Sequence, residues 1–280
     1  VKAVNLTQAV RSSVGCPVDG HVHFHNLGLV PATLGAAAEN FRALGSPPAE
    51  VLGMLLLTQA SGERVFEQLA LRPAIGEWAL SPADAEAETL IARNRQGERI
   101  AIVCGRQVRA CHGLEVLALG TCLEFPDGLS LQETLDGVCE VGVLAVLPWG
   151  FGKWLGGRGR LIHETLQTYG ARRVSVGDNG SRLAGWASPP LIEAARRDGF
   201  RVLPGTDPFP FARDYARVGR FGFFAATHID ARAPWGSLRA WLESLQASPQ
   251  YFGRPTGVAR FVFNQIGIQL YNRFLRKAAA

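Results

Sequence analysis

The 280-residue chain is short of charge, of lysine and of methionine. Charged residues make up 19% of it against 47% hydrophobic ones, a balance that excludes a disordered chain and leaves enough apolar material for a substantial core. No apolar run approaches the roughly 18 residues of a bilayer-spanning helix. The longest, Val141 to Trp149, has the length of a buried strand, so no membrane partner is expected. Val1 and Lys2 are followed by no apolar stretch of the signal-peptide kind, so no secretory signal is expected. Cys16, Cys104, Cys111, Cys122 and Cys139 are odd in number and contain no CxxC pair. That argues against a disulfide framework or a zinc ribbon and points to a reducing compartment, the cytoplasm. Lysine occurs only at Lys2, Lys153 and Lys277, so the net charge of +5 rests on scattered arginines. No basic stretch is interleaved with aromatics, which argues against a nucleic-acid partner.

What is present alternates β-like apolar runs with helical periodicity, the signature of βα units. Strands are expected at Val18 to Phe24, Val51 to Thr58, Ile75 to Leu80, Ile100 to Cys104, Leu114 to Leu119, Val143 to Leu147, Arg173 to Val176 and Arg201 to Leu203. Helices are expected at Leu34 to Leu44, Pro82 to Asn94, Leu129 to Val141, Arg160 to Tyr169 and Pro189 to Asp198. The close spacing of the fourth and fifth strands suggests a hairpin and hence a distorted barrel. At about 150 residues per domain the length suits two domains, but an α/β barrel of about 250 residues is an equal match. The reading adopted is one α/β barrel over residues 1–212. An aromatic and helical extension over 213–280 packs on it, with helices at Trp235 to Ala247 and Thr256 to Lys277.

Three of the six histidines fall within five residues, in Asp19-Gly20-His21-Val22-His23-Phe24-His25. Alternation along a strand puts His21, His23 and His25 on one face. Imidazoles gathered at the end of a barrel strand suit a metal site. At the end of the last strand, Gly205-Thr206-Asp207-Pro208 offers a carboxylate, and the first and last strands of a closed barrel are neighbours. The glycine-rich segment from Pro148 to Gly159 carries Lys153 and Arg158 between Trp149 and Trp154. It reads as a loop for a small anion, with flat apolar walls. Asp178 and Arg182 follow the next strand and are expected at the same mouth, and Glu115 stands among apolar neighbours, either partnered in the core or facing that mouth.

The order of elements and these motifs resemble the PHP family, the polymerase-and-histidinol-phosphatase phosphoesterases, over about residues 18 to 210. The resemblance rests on Asp19-Gly20-His21-Val22-His23, on the stretch from Gly105 to Gly120, on Phe125-Pro126-Asp127-Gly128, on Val146-Leu147-Pro148-Trp149 and on Gly205-Thr206-Asp207-Pro208. It implies a distorted (βα)7 TIM-like barrel, a cluster of up to three divalent metals and hydrolysis of phosphoesters. The sequence departs from the family at Thr58-Gln59, Gln107, Glu115, Pro148-Trp149 and Phe209, where ligands of the cluster would stand. The expectation is therefore one divalent metal, Zn, Mn or Fe, held by His21, His23 and Asp207, with His25 as a further ligand. Glu115 or Asp178 would move the proton. Lys153, Arg158 and Arg182, with Trp149, Trp154, Gln107 and Gln59, would hold a small anionic substrate. The alternative is a catalytically inactive PHP-like module that binds an anionic ligand or a protein partner. The wider amidohydrolase superfamily, acting on C–N bonds, shares the first motif and the Asp207 position.

Overall fold

The computed structural model describes residues 15–45, 50–150, 152–180, 188–211 and 213–255. It is a mixed α/β fold whose strands fall into two sheets. The first contains β1 (Cys16–Val22), β2 (Gly53–Leu57), β4 (Ala74–Ile75), β5 (Trp78–Ala83), β6 (Glu86–Arg93), β7 (Arg99–Val103), β13 (Phe221–Ala225) and β14 (Tyr251–Gly253), in the order β14-β13-β1-β2-β7-β6-β5-β4. The second contains β3 (Gln59–Ala60), β8 (Gly105–Arg109), β9 (Glu115–Leu119), β10 (Leu144–Pro148), β11 (Val174–Asn179) and β12 (Val202–Gly205), in the order β12-β11-β10-β9-β8-β3. Among the described residues no hydrogen-bonded ladder joins these sheets into a closed barrel.

A core lies between the sheets, and the two-residue period of a strand explains which residues enter it. Cys16 and Val18 come from β1, Met54 and Leu56 from β2, Ala101 and Val103 from β7, Leu117 and Leu119 from β9. Val146, Leu203 and Phe223 complete it from β10, β12 and β13. Helix α6 (Pro234–Ser244) closes one end with Trp235, Leu238 and Leu242. Its start is held by Glu86, whose carboxylate accepts from the Trp235 and Gly236 N–H groups at 2.7 and 2.8 Å. A carboxylate there meets both the orphan amides and the positive end of the helix dipole.

The outer faces are covered by helices. Helix α1 (Val30–Arg42) lays Leu34, Ala37, Ala38 and Phe41 on the first sheet. Helices α3 (Leu131–Glu140), α4 (Gly157–Arg173) and α5 (Pro190–Arg197) cover the second with Leu135, Val138, Ile162, Leu166, Ile192 and Ala195. Each buried leucine or isoleucine contributes about 2 kcal/mol of transfer free energy. The short helix α2 (Val65–Ala70) follows β3.

Two stretches differ from expectation. The segment Pro82 to Asn94, expected as a helix, is the end of β5 and the whole of β6 in an antiparallel β5–β6–β7 meander, with Leu80 opposite Ala92 and Leu90 opposite Ile102. Its alanines and glutamates favour a helix, but burial of Leu90, Ile91 and Ala92 against neighbouring strands outweighs propensity. Pro82 is accommodated because β4 is too short to pair with that end of β5. The aromatic segment past residue 212 is built into the first sheet, since β13 pairs antiparallel with β1. The hairpin expected between Ile100–Cys104 and Leu114–Leu119 is not formed: these strands are β7 and β9, in different sheets, and β9 pairs antiparallel with β8 instead, with Arg109 opposite Glu115. The helix expected from Thr256 to Lys277 lies outside the described residues.

Candidate metal centre

The site begins with a bulge in β1. Between Asp19 and Val22 the strand advances three residues while β2 advances two, from Leu55 to Leu57. Upstream, Val18 enters the core between the sheets; downstream, Val22 and Phe24 enter the outer core under α1. The extra residue switches the phase of alternation, so His21 and His23 face the inner side although Val18, three residues before His21, does too. Re-aiming a side chain is what a bulge does at the edge of a site.

The last strand comes close enough to complete the site because both partners are glycine at the contact. A Cβ on Gly205 would collide with the backbone N of His21, and one on Gly20 would lie 2.7 Å from the Pro204 carbonyl oxygen. The Asp207 N–H donates to the His21 carbonyl at 2.8 Å. Asp207 itself has φ +45°, a left-handed conformation that aspartate tolerates better than most residues. Asp19, fully buried, fastens the same seam. Its carboxylate accepts from Thr206 N–H at 2.8 Å, Thr206 Oγ1 at 2.6 Å and Gly219 N–H at 2.8 Å. Burial pushes this carboxyl up to about 6, against the hydrogen bonds that pull it down.

The result is a convergence of three donor atoms. His21 Nε2 and His23 Nε2 are 3.1 Å apart, and Asp207 Oδ1 lies 3.6 Å from the first and 3.5 Å from the second. Metal bonds of about 2.0–2.2 Å at tetrahedral angles put donor atoms about 3.3–3.6 Å apart, which the two His–Asp separations match while the His–His one is slightly shorter, so the triangle is close to one face of a coordination sphere. Two imidazoles and a carboxylate form a donor set suited to Zn, Mn or Fe with a position left open. Burial and the adjacent His21 ring push His23 down to about 3, which keeps its lone pair available. Burial pushes the Asp207 carboxyl up, but His21, His23, Lys153 and Arg217 outweigh it and hold the group below its ordinary value. A neutral imidazole and an ionised carboxylate are the forms a metal requires.

Three further polar residues stand around the triad. Asn179 Nδ2 donates to Asp207 Oδ2 at 2.8 Å, leaving Oδ1 for the triad. Thr58 Oγ1 lies 3.3 Å from His23 Nε2, and Gln107 Oε1 lies 3.2 Å from His21 Nε2. Neither Asn179 nor Thr58 is an expected site residue. Alternation finds the first: Val174 and Val176 belong to the outer core, which assigns Asn179 to the inner face and Asp178 to the outer one. Asp178 is therefore not at the triad, because the strand turns it the other way.

Other expected residues divide. His25 is outside the triad; the chain turns after Phe24, and His25 Nε2 bonds the Pro208 carbonyl at 2.8 Å while its ring stacks on His23. Gln59 turns outward with Arg106, its register partner, and its Oε1 accepts from Phe66 N–H at the start of α2. Trp149 and Trp154 are buried in the outer core among α4 and α5 and anchor their loop rather than wall a ligand site. Arg158 donates to the carbonyls of Gly152 and His112 at 2.7 and 3.4 Å, which uses its guanidinium to close that loop. Lys153 pairs with Glu115 at 2.6 Å and is near enough to Asp207 to affect its ionisation. Arg182 lies outside the described residues.

No protein-family model matches the chain, and no curated protein does. Among solved structures the fold is similar to that of PsfC from Pseudomonas syringae PB-5123, with a TM-score of 0.57 and 16% sequence identity over 93% of this chain and 98% of that one. At that identity the likeness is one of fold alone. No helix among the described residues is long and apolar enough to cross a membrane.

Proposed function

We propose that the chain is a metal-dependent hydrolase of the phosphoesterase type, acting on a small anionic substrate, and that its two sheets are the halves of a distorted, PHP-like barrel. The barrel reading draws support from the shared inner core and from the seam where Asp207 meets His21. It is also supported by the chain passing from β2 into β3 and from β7 into β8, which carries it from one sheet to the other.

The observation that carries the functional reading is the convergence of His21, His23 and Asp207 within 4.8 Å of one another. A divalent ion bound there would supply Lewis acidity and lower the pKa of a coordinated water. The protein's own contribution is positional and electrostatic. His21 and His23 present ring nitrogens, and Asp207 presents one oxygen while Asn179 restrains the other. Hydrolysis joins the oxygen of water to phosphorus and breaks the bond from phosphorus to the ester oxygen, and the proton lost by the water passes to the departing alkoxide to give an alcohol. Glu115 is the residue assigned to carry that proton, and Lys153, its partner at 2.6 Å, meets the anionic oxygens of the substrate. Arriving phosphate competes with Glu115 for Lys153, and so frees the carboxylate when it is needed.

The second reading, a module that binds an anion or a protein without turnover, is favoured by Gln107, which brings a neutral amide where the resembled family has a bridging carboxylate. Release of inorganic phosphate from a panel of phosphomonoesters, with Zn, Mn or Fe supplied, separates the two. The hydrolase reading expects turnover that is lost in His21→Ala and Asp207→Ala. Stoichiometric metal without turnover on any ester selects the binding module.

A further inference from the structure

Beside the triad, on the side of His23 and His25, the protein holds a cavity of about 240 Å³ between the segment after β1 and residues 208–211 with Tyr215. We infer that this cavity is the subsite for a flat apolar group, an aryl ring, carried by the anionic substrate whose labile group sits at the triad. The place of the labile group rests on the metal-site reading, and the fit of the ring to the cavity does not.

Four observations support it. His23 belongs to both the triad and the cavity wall, so a ligand filling the cavity touches the metal site directly. Most of the wall is aromatic or aliphatic, beside the polar Asn26 and Thr33: Phe209 and Phe211 lie with ring planes 11° apart and centroids 5.8 Å apart, with Tyr215 and a 43% exposed Leu29 nearby. Among the described residues no lysine, arginine or carboxylate lines the cavity, so the anionic end of a ligand is directed away from it, towards the triad and Lys153. The volume exceeds the roughly 150 Å³ that accommodates benzene and is less than the roughly 300–1,000 Å³ of drug-sized sites, which suits one substituted ring.

The walls are also held in place before any ligand arrives. The buried Asp214 carboxylate accepts from Phe209 N–H at 2.6 Å, and Asp214 N–H donates to the Phe211 carbonyl at 3.1 Å. His25 pins the same turn at Pro208, and the Asn26 side chain accepts from Gly28 N–H to fix the turn that carries Leu29. A pocket fixed in this way loses little freedom on binding, which favours affinity. The third histidine of the cluster thus acts as a positioning residue for the subsite.

The test is calorimetric titration of the full chain with non-hydrolysable probes: phenylphosphonate, methylphosphonate and the neutral phenol. Burying one ring corresponds to roughly tenfold or more in affinity. Phenylphosphonate is expected to bind at least about tenfold more tightly than methylphosphonate. Leu29→Trp, a change at an exposed wall position, is expected to abolish that preference while leaving methylphosphonate binding and metal content as they were. Equal affinity for the two phosphonates in the unaltered protein, or a preference that survives Leu29→Trp, overturns the inference. Phenol separates the two readings. Phenol binding that Leu29→Trp removes, in a protein holding no metal, supports the cavity and contradicts the metal site; a metal-loaded protein that binds neither aryl probe does the reverse.

Discussion

Asn179 holds one oxygen of the Asp207 carboxylate, Nδ2 to Oδ2 at 2.8 Å, and so aims the other at the imidazoles of His21 and His23. A carboxylate restrained in this way stays in place for a metal, and loss of such outer partners commonly lowers metal affinity by about 10- to 100-fold. Asn179→Leu is expected to weaken Zn binding by roughly that factor with the fold intact. Competition against a chromophoric chelator measures it, and unchanged affinity would remove Asn179 from the site.

Asp19 is the carboxylate of the first motif, yet it binds backbone and hydroxyl donors across the seam rather than facing the triad. Asp19→Ala leaves Thr206 N–H, Gly219 N–H and the Thr206 hydroxyl without their acceptor in a buried place. A loss of about 3 kcal/mol or more of stability is expected from groups that cost about 1–3 kcal/mol each when unsatisfied. Urea unfolding of the variant beside the parent gives the figure; a difference under about 1 kcal/mol would mean the seam does not depend on it.

His25 and His21 are equivalent in the sequence pattern and opposite in role. His25→Ala is expected to keep its metal and to lose part of the preference for phenylphosphonate over methylphosphonate, because the turn at Pro208 is no longer pinned. Metal analysis and calorimetry on the same preparation read both effects, and a loss of metal on this substitution would return His25 to the ligand set.

The two cations of the glycine-rich loop are predicted to behave differently. Lys153→Ala is expected to weaken inorganic phosphate binding by about tenfold, as loss of one charge-assisted contact does. Arg158→Ala is expected to leave it nearly unchanged, since its guanidinium already meets two carbonyls. Phosphate titrations of the two variants decide between them, and equal losses would restore Arg158 to the anion site.

Much of the centre was legible because it is local. The alternation of His21, Val22 and His23 is a property of one strand, and Asp207 follows from the closing of first strand against last. The bulge that turns these histidines inward depends on β2, some thirty residues on, and no pattern within β1 announces it. The reading of Pro82 to Asn94 as a helix failed for the same reason: its pairing partner, β7, stabilises it from outside the window that periodicity examines. The charge of Asp178 suggests a site residue more strongly than the neutral amide of Asn179 does, although Val174 and Val176 already indicate which face is which. Trp149 and Trp154 were read as ligand walls from their glycine neighbours, but large indoles beside a helix bury more area by entering the core.

The central claim is that His21, His23 and Asp207 hold one divalent ion. Metal analysis by mass spectrometry addresses it most directly, on the full chain purified without chelator and again after incubation with Zn, Mn or Fe and desalting. About one ion per chain is predicted for the parent protein, with little left in His21→Ala whose circular dichroism is unchanged. A parent protein that is folded and retains none of the three ions after loading would contradict the account.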